Sequence, residues 1–134
     1  MATDERSRYK HLDVYRQAHD LAVRVHAMSL KLPAFETREE GLRVRKCSKE
    51  ISARIAEAWA VKREGAEFVR ILRRALGSAS ETRERLQLLR DTRSLADADL
   101  FEELSLGYKS LVRRMDRFIE KVEKDAAREA RSGN

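Results

Sequence analysis

Four stretches of this chain place apolar residues at spacings of three and four, a period that fits one face of an α-helix and fails for a strand. The first stretch carries Val14, Ala18, Leu21, Val25, Met28 and Leu32, opens after Asp13 as a candidate N-cap and ends at Pro33, which disfavours helical geometry at Leu32. Thr37 followed by Glu40 has the spacing of a capping box and starts the second helix, whose inward stripe is Val44, Cys47, Ile51, Ile55 and Ala58. Gly65 is the expected break before a third stripe of Phe68, Leu72, Ala75, Ala79, Thr82, Leu86 and Leu89. Thr92 to Ala96 reads as a loop with Asp97 as the next cap, and Leu100, Leu104, Tyr108, Leu111, Met115, Phe118 and Val122 form the fourth stripe.

A chain of 134 residues fits one domain, and one proline with five glycines punctuates it too rarely for a sandwich or barrel of short strands. Connections of about 2–8 residues cannot span a helix length, so sequential helices must run antiparallel. The expectation is an all-α, up-down-up-down antiparallel four-helix bundle over 13–125, with an N-terminal extension over 1–12 and a frayed, flexible C-terminal tail over 126–134. Gly77, Ser78 and Ser80 fall mid-helix, where glycine costs about 1 kcal/mol relative to alanine, and close approach of a neighbouring helix is the expected compensation.

The same residues narrow the function. A lone cysteine excludes an internal disulfide, and Cys47 with three histidines does not make zinc-finger spacings. The sequence has no run of about 18 apolar residues and no signal-like apolar segment, which predicts a soluble, cytoplasmic protein without membrane contact. Cys47 sits on an inward stripe with no histidine on its own helix and reads as a small buried hydrophobe. The metalloprotease, P-loop, dinucleotide-binding, nucleophile-elbow and di-iron Glu-x-x-His patterns are all missing, so neither catalytic residues nor a cofactor is expected. His19 and His26, seven apart on one helix flank, are a weak metal pair whose ordinary reading is two exposed side chains.

Charge is the more informative property. Lys and Arg number 29 against 23 Asp and Glu, and the excess is local. Between Arg43 and Arg63 seven basic residues face only Glu50 and Glu57, whereas from Ser94 onward eight basic residues meet nine acidic ones. Charges on the fourth helix pair at i,i+4, as Glu120 does with Lys124, and suit a solvated face. Arg43, Arg45, Lys46 and Lys49 on the second helix, with Arg70, Arg73 and Arg74 on the third, are the candidate phosphate contacts to RNA or DNA, without a base code. Opposite the second helix's apolar stripe lie Ala53, Ala56 and Ala60, flanked by Trp59, and this strip is the candidate subunit interface.

Particular residues also carry a family resemblance. Tyr9, Leu12, Val14 and Tyr15 match an aromatic-x-x-Leu-x-Val-aromatic opening, and Pro33 and Glu36 a Pro-x-x-Glu turn. Val44 to Cys47 echo an Ile-Arg-Arg-Ala segment, and Ile51, Ile55, Ala56 and Glu57 keep part of Ser-Ile-x-x-Asn-Ile-Ala-Glu-Gly. Glu67, Phe68, Leu72, Ala75, Gly77, Ser78 and Glu81 follow Glu-Phe-x-x-x-Leu-x-x-Ala-x-Gly-Ser-x-x-Glu. In these features the chain resembles the four-helix-bundle proteins named for open reading frames in intervening sequences of bacterial 23S rRNA genes. It departs from them at Glu50, Arg54 and Ala58, where the family has Ser, Asn and Gly. The resemblance implies a non-enzymatic bundle that assembles as a ring, a homopentamer. Similar bundles serve diversity-generating retroelements, binding nucleic acid and a reverse transcriptase. Two functions follow as expectations: a basic ring that binds nucleic acid through its phosphates, or a protein-interaction adaptor such as a reverse-transcriptase accessory subunit.

Overall fold

The computed structural model describes residues 8–133, Arg8 by its backbone alone. Residues 1–7 of the expected extension and Asn134 of the expected tail lie outside the described residues. Four long helices account for most of the chain: α1 (Asp13–Ser29), α2 (Glu40–Ala60), α3 (Gly65–Asp91) and α4 (Ala98–Ser132). A 3-10 turn at Arg8–His11 precedes them, and one helical turn at Ala34–Thr37 joins α1 to α2. No strand occurs among the described residues. Each helix packs on its neighbours in the order α1–α2–α3–α4, and α4 returns to α1. The architecture is the antiparallel four-helix bundle that the four stripes require.

The stripes of α1, α2 and α3 are buried without exception. In α4, Leu104, Tyr108, Leu111 and Met115 are buried, Leu100, Phe118 and Val122 are half-buried, and Ile119 takes the last inward position. Ala58, Phe68, Ile71, Leu72 and Ile119 form a smaller cluster where α2 turns into α3. Between α2 and α3 the Thr82 hydroxyl donates to the Ser78 carbonyl at 2.8 Å and lies 3.2 Å from the Cys47 sulfur. Burial pushes the Cys47 thiol and the Tyr108 phenol above their ordinary values.

Local chemistry sets the helix ends, and here the structure corrects several expectations. Thr37 does not cap α2, because it is the last residue of the intervening turn and its hydroxyl bonds backward to the carbonyls of Leu32 and Pro33. Glu36 takes that role instead: one carboxylate oxygen accepts from the Glu40 amide at 3.2 Å and the other from the Ser94 hydroxyl at 2.5 Å. Asp13 lies inside α1, with Leu12 at the cap position, and accepts a bond from Arg16 at 2.6 Å. Asp97 caps α4 as expected, accepting from the Leu100 amide at 3.0 Å. The helix then continues to Ser132, past the expected end at Asp125. Ala126 is half-buried, and a Cβ at Gly65 would stand 3.0 Å from its methyl carbon, so the start of α3 braces the last turns of α4.

A further correction concerns Gly77. A Cβ built there meets nothing within 4 Å, so no helix of this chain approaches it. Ser78, in contrast, is buried in the α2–α3 seam and donates to Glu50 at 3.4 Å. Gly41 makes the close approach, since a Cβ there would come within 2.7 Å of the Glu36 carbonyl oxygen. Gly77→Ala is therefore predicted to raise stability by about 0.5–1 kcal/mol, the helix propensity difference. Gly41→Ala must push backbone aside and is predicted to lower it. Denaturant midpoints of the two variants check both signs.

Candidate nucleic-acid interface

The basic residues chosen from sequence occupy four different physical situations. Arg43, Lys46 and Lys49 are exposed in the first turns of α2, with no ionic partner among the described residues. Arg45 is half-buried: its guanidinium donates to the Ser29 hydroxyl at 3.0 Å and to the Thr37 carbonyl at 2.9 Å, tying the end of α1 to the start of α2. It is a strut and not a surface cation.

Carboxylates of the same chain already hold two arginines of α3. Arg70 grips both oxygens of Glu67, at 2.5 and 3.0 Å, and holds that carboxyl below its usual range. Arg73 reaches across to Glu123 of α4 at 2.9 Å. Both pairs are exposed, and such pairs contribute only about 0–1 kcal/mol, so a phosphate can compete for either arginine. Arg74 lines a cleft of about 390 Å³ with Glu50, Ala53, Arg54 and Glu57. Charges of both signs meet there, and Arg54 stands 3.6 Å from Glu50. The seven residues therefore do not merge into one patch. Of the seven, Arg43, Lys46 and Lys49 cluster on one helix without an ion pair among the described residues.

Glu81 belongs to a buried-edge pair: Arg85, mostly covered, bridges Glu40 at 2.6 Å and Glu81 at 2.8 Å across the α2–α3 seam. The two carboxylates raise the pKa of that guanidinium. On α4 the expected Glu120–Lys124 pair is not formed among the described residues. Acids of this helix reach other helices instead, Glu103 to Arg24 at 2.6 Å and Glu123 to Arg73. Sequence reasoning missed Arg114 and Arg117, which line shallow clefts between α1 and α4 beside Asp13. Their spacing was visible, but which helix faced them was not.

The alanine strip is divided as well. Ala53 and Ala60 are exposed, while Ala56 is half-buried. Trp59 is committed within its own chain: its ring meets Phe68 edge-on at 6.1 Å between centroids, and the Lys62 ammonium lies 4.4 Å from its centroid. Phe68 in turn meets Phe118 at 6.2 Å. Tyr9 joins Ala56, Trp59 and Ala60 around a hollow of about 640 Å³ where α2 turns toward α3. His19 stacks on Tyr15 at 5.8 Å, and among the described residues no group of three His, Cys, Asp or Glu side chains is arranged to hold a metal ion. No described helix is long and apolar enough to cross a membrane.

Comparison with known proteins places the chain in context. A family model described as 23S rRNA-intervening sequence protein matches residues 10–117. No curated protein and no solved structure matches the chain.

The two classes of cation separate in a stability measurement. Arg45→Ala leaves the Ser29 hydroxyl and Thr37 carbonyl without their donor and is predicted to cost about 1–3 kcal/mol. Lys46→Ala and Lys49→Ala are predicted to stay within about 0.5 kcal/mol of the parent chain in the same urea titration.

Proposed function

The chain belongs to the 23S rRNA-intervening sequence protein family, and from that premise we propose that it is a non-catalytic bundle that binds RNA or DNA through its phosphates. One observation supports the reading most: Arg43, Lys46 and Lys49 project from the start of α2 with no carboxylate engaging them among the described residues, on a chain of formal charge +6. Phosphate contacts of this kind release counterions and act on any sequence. The neighbouring Arg70 and Arg73 add to the site by exchanging exposed carboxylates for phosphates.

Assembly into a ring is part of the same proposal, with a homopentamer as the form the family resemblance implies. Repetition of a weak basic face raises its avidity. Exposed apolar side chains support assembly: Val23 on α1 is 58% exposed, Leu30 just past its end 55% and Leu42 on α2 40%. A second reading, a protein-interaction adaptor such as a reverse-transcriptase accessory subunit, is favoured by Phe35, 68% exposed on the one-turn connection.

Binding of labelled single- and double-stranded oligonucleotides at two salt concentrations tests the first reading. Affinity should fall steeply with salt, and the triple variant Arg43→Glu, Lys46→Glu, Lys49→Glu should weaken every sequence alike and flatten the salt slope by about one per lost contact. Negligible affinity at low salt overturns this reading in favour of the adaptor. Light scattering on the same samples should give a multiple of the chain mass, and a single-chain mass contradicts the ring.

A further inference from the structure

The hollow at the α2–α3 corner is not explained by phosphate binding alone. Its walls are aromatic and aliphatic, from Tyr9, Ala56, Trp59, Ala60 and Val61, and its volume of about 640 Å³ lies within the range of small-ligand sites. Edge contact with Phe68 fixes the indole ring, so its orientation is set before anything binds. Lys62, Arg63 and Glu64 contribute to the same lining. The positive end of the α3 dipole falls here too, because α3 begins at Gly65 and Glu64 provides no side-chain cap.

The hollow also continues the basic face. On a helix of 100° per residue, Lys46, Lys49, Ala53, Ala56, Ala60 and Arg63 follow one outer arc of α2 and its turn. Cations therefore stand at both ends of an alanine floor, which runs about 16 Å from Lys49 to Ala60 at 1.5 Å per residue, with Arg63 in the turn beyond it. Alanine side chains let an extended polyanion lie close to the helix, and the floor leads to the half-exposed rings of Trp59 and Tyr9. Duplex bases are stacked on one another and cannot reach such a surface, whereas the bases of a single strand can.

We propose that this arc guides a single-stranded nucleic acid, and that one of its bases stacks against Trp59 and Tyr9 in the corner hollow. The inference rests on the nucleic-acid reading above and specifies the substrate class within it.

Trp59 is the chain's single tryptophan, so intrinsic fluorescence reports on this site alone. The full chain is titrated at low salt with oligothymidylate, with a DNA duplex of equal length and with inorganic polyphosphate. Binding is followed independently by competition against a labelled oligonucleotide. The expected result is that all three compete and only oligothymidylate quenches Trp59. Tyr9→Ala should weaken oligothymidylate about tenfold, within the range for loss of one stacking partner, and leave the duplex unchanged. Tyr9→Phe, which keeps the ring, should restore the affinity, and circular dichroism confirms that each variant remains helical. Competition by all three polyanions without quenching overturns the inference and leaves phosphate binding standing. Absence of competition by any of them overturns the nucleic-acid reading and the inference together. Quenching by an acidic, phenylalanine-containing peptide but not by oligothymidylate assigns the hollow to a protein ligand and also overturns it.

Discussion

Mutual burial of four apolar stripes is the interaction on which the rest of this molecule depends. Val25, Ile51, Leu86 and Leu111 come from four different helices and are fully or almost fully withdrawn from water. Burying such side chains contributes about 1.5–3 kcal/mol each before conformational entropy is subtracted. No helix can satisfy its own stripe, so closure is collective. It also fixes the azimuth of every other residue, and so decides which charges face solvent and which face another helix.

That azimuth explains why equal charges have unequal roles. Arg45 and Lys46 are adjacent in sequence, yet 100° of rotation turns one toward Ser29 and Thr37 and the other toward water. Arg85 lies on the α2 side of α3 and becomes a bridge between Glu40 and Glu81. Arg73 lies on the opposite side and finds Glu123 of α4. Along the outer arc of α2, Arg43, Lys46 and Lys49 keep no ion pair among the described residues.

Much of this could be read from the chain itself. Apolar spacing located all four helices, their inward faces and the burial of Cys47, because that information is local and periodic. Asp97 was readable because an N-cap is decided within three residues. Errors arose where the answer depended on a distant segment. Glu36 displaces Thr37 at the start of α2 because Thr37 had already been drawn into the preceding turn and Ser94 approaches from the α3–α4 loop. The last turns of α4 persist through contact between Ala126 and the start of α3. Gly77 points to open space because its stripe neighbours, not the glycine, face the core. The hollow at Tyr9 and Trp59 joins residues fifty positions apart, and no spacing rule links them.

Hydrogen exchange read at single residues tests the collective closure most directly. Amides of Val25, Ile51, Leu86 and Leu111 should exchange only through global unfolding, with one shared free energy and one shared denaturant dependence. The account is contradicted if the amides of one helix exchange at a markedly lower free energy than the other three, since its stripe would then not be part of a single closed core.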